Sequence, residues 1–118
     1  MNSDRLWDAI DRLKAHPESW SKGNVTGNTR CLIGHVLNND NYGEGFGYIA
    51  FANLPEARLL HSVICDQYLD RVVRRDVDDF RKERPSTAVW RFNDHRDTTV
   101  NDVIRVLEKA AIRADELV

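Results

Sequence analysis

Apolar residues recur at three- and four-residue intervals along most of this chain, and the pattern lapses in one stretch. Leu6, Ile10 and Leu13 form one stripe with Ala9 and Trp7 beside it. That spacing predicts a helix from about Asp4 to His16, capped by Ser3 and stopped by Pro17. Cys31, Leu32, Val36 and Leu37 predict a short second helix from about Arg30 to Asn38, with Asn28 or Thr29 as cap. Gly34 in its middle costs about 1 kcal/mol relative to Ala unless a neighbouring helix packs into the gap.

A third helical region opens at Asn53-Leu54-Pro55-Glu56, with Asn53 as cap and Glu56 at the capping-box position. Leu59, Leu60, Val63, Ile64, Tyr68, Leu69, Val72, Val73, Val77 and Phe80 carry its stripe. A single helix of that length would reach about 40 Å, longer than a domain of this size is wide. A bend or break is therefore expected between Arg71 and Asp76, and Pro85 ends the region. The last helix starts at Val100, with Thr99 as N-cap, Asp102 three residues on, and Val103, Ile104, Leu107, Ala110, Ala111 and Ala114 on its apolar face. Thr87-Ala88-Val89-Trp90 reads as a short extended lead-in to it.

The lapse lies between Gly23 and Gly47, which bracket all six glycines. Residues 20–50 are accordingly expected to be loop-rich. The predicted fold is mainly α, one compact domain over residues 1–118, with four to five helices, a Gly-rich loop segment and a short extended segment before the last helix. At 118 residues the chain can bury about two-thirds of its unfolded surface, enough for one core.

Composition narrows the class. Hydrophobic residues make up 42% and charged residues 31%, which suits a globular protein rather than a disordered or membrane one. No apolar run is long enough to span a bilayer, and the polar, acidic start Met1-Asn2-Ser3-Asp4 does not resemble an export signal. Cys31 and Cys65 show no paired metal spacing and are expected to be reduced, which favours the cytoplasm. The net charge of −2 is spread evenly, so no global basic field invites nucleic acid.

Two segments, Cys31-Leu32-Ile33-Gly34-His35 and Phe92-Asn93-Asp94 followed by Thr99-Val100-Asn101-Asp102-Val103, resemble a family of small uncharacterised proteins from actinobacteria and their phages. Those proteins have a Cys-x-x-Gly-Ala-like segment, a Trp-Asn-Asp turn and an Arg-Thr-capped C-terminal helix. This chain departs from them at His35, Phe92 and Asp97-Thr98. The resemblance implies a small, mainly helical fold and no assigned activity, so it brings no catalytic residues.

Four features carry candidate chemistry. Cys31 and His35 share a helix face at i, i+4, the arrangement of a thiol activated by an imidazole, with His95, Asn93 or Asp94 as a second base or orienting group. The structural reading of Cys31 as a small core residue is the stronger one. Asn93, Asp94 and Thr99 read as a hydrogen-bonded turn and cap that seat the last helix. His61, Asp66, Asp94, His95 and Asp97 have residue types that suit a metal but no ligand spacing. Asn38 to Gly43 fails as a calcium loop because Ile49 falls where a bidentate Glu is needed. No metal or cofactor is therefore expected.

The fourth feature is Tyr42 to Phe51, where Tyr42, Phe46, Tyr48 and Phe51 are four of the chain's ten aromatics. Aromatics on an adaptable backbone suit a recognition loop. The charged run from Arg71 to Arg84, with 6 basic and 4 acidic residues, reads as a solvated helix face rather than a nucleic-acid surface. The expectation is a non-catalytic interaction or regulatory module that binds a protein partner through Tyr42, Phe46, Tyr48 and Phe51. The alternatives are a small cysteine hydrolase and a homo-oligomer paired through the Leu69, Val73, Val77 and Phe80 strip.

Overall fold

A computed structural model describes residues 3–23, 28–38, 44–72 and 85–116. Seven α-helices run through these residues: α1 (Asp4–Ala15), α2 (Leu32–Leu37), α3 (Glu44–Ala52), α4 (Pro55–Gln67), α5 (Leu69–Val72), α6 (Pro85–Asp94) and α7 (Val100–Glu116), with a 3₁₀ turn at Pro17–Ser19. Among the described residues the only extended pairing is an isolated bridge between Trp20 and Arg30. The fold is mainly α, as the periodicity predicts.

All three prolines stand at the first position of a helical element, Pro17 in the 3₁₀ turn, Pro55 in α4 and Pro85 in α6. Proline suits that position because its fixed φ is already helical and its missing N–H would have had no partner there. This corrects one expectation: Thr87 to Trp90 lie inside α6, which opens at Pro85, rather than in an extended lead-in. The end of the helical region expected before Pro85 falls at residues 73–84, outside the described residues.

The Gly-rich segment is corrected as well. Glu44 to Ala52 form α3 despite Gly45 and Gly47, although each helical glycine costs about 1 kcal/mol relative to Ala. Phe51, fully buried in the core, contributes about 1.5–3 kcal/mol on the same helix, enough to offset them. Gly47 and Gly34 are both buried, in two helices that pack on each other.

The long helical region breaks at Tyr68, whose backbone leaves the helical range (φ −136°, ψ 39°), earlier than the expected Arg71 to Asp76. The α4 cap position belongs to Leu54, not Asn53, and α2 is capped by Cys31 rather than Asn28 or Thr29. Asn38 ends α2 in the left-handed region (φ 48°), a conformation that Asn tolerates better than most residues. Val73, Val77 and Phe80 lie outside the described residues.

α7 packs against α1 and α4, and α4 packs against α6. Leu6, Ile10, Leu13, Leu32, Ile33, Val36, Phe51, Leu60, Ile64, Phe92 and Leu107 are among the fully buried side chains of one continuous core. Both ends of the fold are tied together by Asp115, which accepts hydrogen bonds from the Ser3 hydroxyl and, at 3.1 Å, from Trp7 Nε1. The Cα radius of gyration is 13.1 Å, close to that of an ordinary domain of about 100 residues.

Candidate functional site

The two segments that carry the family resemblance meet in space through Asn93. Asn93 is fully buried near the end of α6. Its Oδ1 accepts from the Leu32 amide at 3.0 Å and from Trp20 Nε1 at 2.6 Å. Its Nδ2 donates to the Ser21 carbonyl at 3.2 Å and to Asp94 Oδ1 at 3.0 Å. The Leu32 amide is the first of α2 and has no partner within that helix, so Asn93 satisfies it from across the fold. Asn93 and Asp94 are thus the last two residues of a helix, and the turn proper begins at His95.

Cys31 at the N-cap of α2 and His35 within it lie beside this junction, and both are buried. Burial pushes the Cys31 thiol above its ordinary value of 9.0, and the amide dipoles of Ile33 and Gly34 offset this only in part. That environment holds the thiol protonated at neutral pH, the opposite of an activated nucleophile. The His35 ring donates from Nε2 to the Ser19 carbonyl at 3.1 Å, while its buried Nδ1 has no partner among the described residues. A proton on Nδ1 would find no acceptor, and burial, with Arg12 and Arg30 nearby, holds the ring below its ordinary 6.5.

His95 stands apart from that pair. Its Nδ1 accepts from the Asp97 amide at 3.1 Å, and its carbonyl accepts from Lys22 Nζ at 2.7 Å. Among the described residues no group of three His, Cys, Asp or Glu side chains is placed to hold a metal ion. Thr99 caps α7. Its hydroxyl accepts from the Asp102 amide at 3.3 Å, and its own amide donates to Asp102 Oδ2 at 3.1 Å, a reciprocal capping box.

The aromatic segment divides by helix face. Phe51 is fully buried, Tyr48 packs partly against the core, Phe46 is 73% exposed, and Tyr42 lies outside the described residues. Sequence reasoning missed Ile49, which is 58% exposed one turn from Phe46. Its signal was the i, i+3 spacing of Phe46 and Ile49, hidden because the glycines argued for a loop. Ile49 and Tyr48 also border a pocket of about 370 Å³ closed by Ala52, Asn53, Pro85 and Ser86, where α3 meets the start of α6.

A second cavity, of about 590 Å³, lies between the end of α1 with the 3₁₀ turn and the segment Asn28 to Arg30 with the end of α2. His35 forms part of its wall with Arg12 and Arg30. Sequence reasoning missed both arginines, because no spacing rule links position 12 to position 30. No helix among the described residues is long and apolar enough to cross a membrane.

Comparison with known proteins matches residues 2–113 to the model of a family of unknown function, DUF6197. No curated protein and no solved structure matches the chain significantly.

Proposed function

The chain belongs to DUF6197, a family of unknown function, and we propose that it is a non-catalytic interaction module that binds a protein partner through the outward face of α3. One observation carries this reading. Phe46 and Ile49, one turn apart, stand 73% and 58% exposed on a helix whose residues after Glu44 are all glycine, aliphatic or aromatic. A surface helix ordinarily turns polar residues to water, and an all-apolar helix is ordinarily covered. The adjoining pocket between α3 and α6 offers a seat for an apolar side chain of the partner.

The segments Cys31 to His35 and Phe92 to Asp94 support placing the chain among the small actinobacterial and actinophage proteins that they resemble. Two buried free thiols, Cys31 and Cys65, support a reducing cytoplasmic setting. The cysteine-hydrolase alternative gains no support from a thiol that burial keeps protonated.

The test begins with a photo-reactive phenylalanine analogue at position 46 and, as control, at exposed Asp11. The expected result is a discrete adduct from position 46 alone. Its partner, identified and purified, then binds the wild-type chain and loses at least about tenfold in affinity for the F46D/I49D double variant, as a central apolar contact should. Wild-type affinity in a folded double variant overturns the proposal. An adduct made of two copies of this chain replaces it with self-association.

A further inference from the structure

We propose that the cavity bounded by α1, the end of α2 and the start of α4 binds a free α-amino acid with a small apolar side chain, its ammonium held by Glu56 and its carboxylate by Arg12. Two observations meet there. Glu56 lines the cavity yet is only 5% exposed, and its buried Oε2 has no hydrogen-bond partner among the described residues. Arg12 lines the same cavity, and its buried Nε has no partner among them either. An orphan acceptor and an orphan donor thus belong to one cavity without satisfying each other. Buried polar groups are ordinarily paired, and a buried carboxylate without a donor is among the costliest exceptions. A ligand carrying both an ammonium and a carboxylate supplies both missing partners through charge-assisted bonds.

Three elements bring these groups together. Asp4, Asp8 and Arg12 follow one another at four-residue spacing, which sets them along one face of α1. Glu56 follows Pro55 in the first turn of α4, so its carboxylate enters from a different helix. Val36 and Leu37, at the end of α2, add the apolar wall that a small aliphatic side chain needs. Residues of both signs line the cavity, Asp4, Asp8 and Glu56 with Arg5 and Arg12, which suits a zwitterion better than an ion of one sign. Arg12 is anchored by Nη2, which donates to the His35 carbonyl, and this leaves Nε for the ligand. Among the described residues the carboxylates do not converge as metal ligands, whereas an ammonium needs only one. The volume of about 310 Å³ lies at the small end of small-molecule sites.

L-alanine and L-leucine, titrated at constant ionic strength and followed by amide NMR shifts, test the assignment. The expected result is saturable binding with shifts centred on Asp8, Arg12, Leu37 and Glu56. Methylamine and acetate, each matching one half of the ligand, should bind the wild-type chain at least about tenfold more weakly, as the loss of one charge-assisted bond requires. Glu56→Gln keeps the shape of the side chain and removes its charge, so it should weaken amino-acid binding at least about tenfold. Asp11→Asn, on the exposed face of α1, should leave binding unchanged. No saturable binding of either amino acid, undiminished binding in a folded Glu56→Gln variant, or an equal loss in the Asp11 variant would overturn the proposal. Methylamine binding as tightly as L-alanine would overturn the amino-acid assignment.

Discussion

Asn93 commits all four of its hydrogen-bonding positions to other groups, three of them on segments far away in the chain. Replacing it by Ala leaves the Leu32 amide and the Trp20 indole N–H without their acceptor in a buried site. Each such orphan costs about 1–3 kcal/mol, so Asn93→Ala should lower stability by about 3 kcal/mol in urea titrations that read tryptophan fluorescence. Asn93→Asp keeps the acceptors but loses both donors and sets a carboxylate beside Asp94, so it should not rescue. A midpoint for either variant within error of the wild type would remove Asn93 from its place as the junction. The sequence marks Asn93 as a polar residue in a dense cluster and no more, because three of its four partners lie 61 to 73 residues away. Thr99 was legible as a cap for the opposite reason: its bonds close over three residues. At Cys31 the same burial that removes the thiol from water predicts slow alkylation by iodoacetamide at neutral pH, with fast reaction only after unfolding. Rapid native labelling of Cys31 would restore the nucleophile reading.

Where α4 breaks at Tyr68, a cluster of side chains explains what the short α5 gains. Arg71 Nη1 donates to Asp102 Oδ2 at 2.9 Å and to Thr98 Oγ1 at 3.2 Å, and its guanidinium lies 4.7 Å from the centre of the Tyr68 ring. Tyr68 packs on Phe92 with ring centroids 4.9 Å apart. Burial pushes the Asp102 carboxyl up, but bonds from Arg71 and Thr99 prevail and hold it below its ordinary 3.8. The α5 turn therefore docks on the N-terminus of α7 through a mostly buried ion pair that also sits in the capping box. Thr99→Ala should cost about 1 kcal/mol and Arg71→Ala about 2 kcal/mol. Both act on Asp102, so the double variant should cost less than the sum of the two; strict additivity in denaturant titration would show that cap and ion pair are independent. The apolar spacing made α1, α4 and α7 legible, since amphipathic periodicity survives any arrangement of neighbours. It could not show the break at Tyr68, which depends on α6 and α7 offering Phe92 and Asp102. Nor could it show α3, because glycine content signals a loop unless core burial of Phe51 overrides it. Pro85 was ambiguous for a related reason: proline fixes φ without saying on which side of it the helix lies.

For the whole molecule, the groups whose ionisation folding changes set the pH range in which it is most stable. His35 is held below 6.5 in the folded state, so the unfolded chain takes up its proton first. Stability then falls as pH drops below 6.5 and levels off once the folded ring is also protonated. Cys31 behaves in mirror image. Its folded thiol is held above 9.0, so the unfolded chain loses the proton first, and stability falls as pH rises past 9.0. Asp102, held below 3.8, contributes stability above that value that is lost as pH falls through its folded pKa. These groups together predict a plateau between about 6.5 and 9.0. His35 on the acid flank and Cys31 on the alkaline flank each contribute a slope of at most about 1.4 kcal/mol per pH unit. Urea midpoints measured across pH should show it. The two flanks have separate causes and can be removed separately: His35→Gln should flatten the first fall below 6.5 and leave the alkaline side intact, and Cys31→Ala should do the reverse. An acid flank that persists unchanged in a folded His35→Gln variant would mean that another group, and not the buried His35 ring, governs the stability of the fold in mild acid.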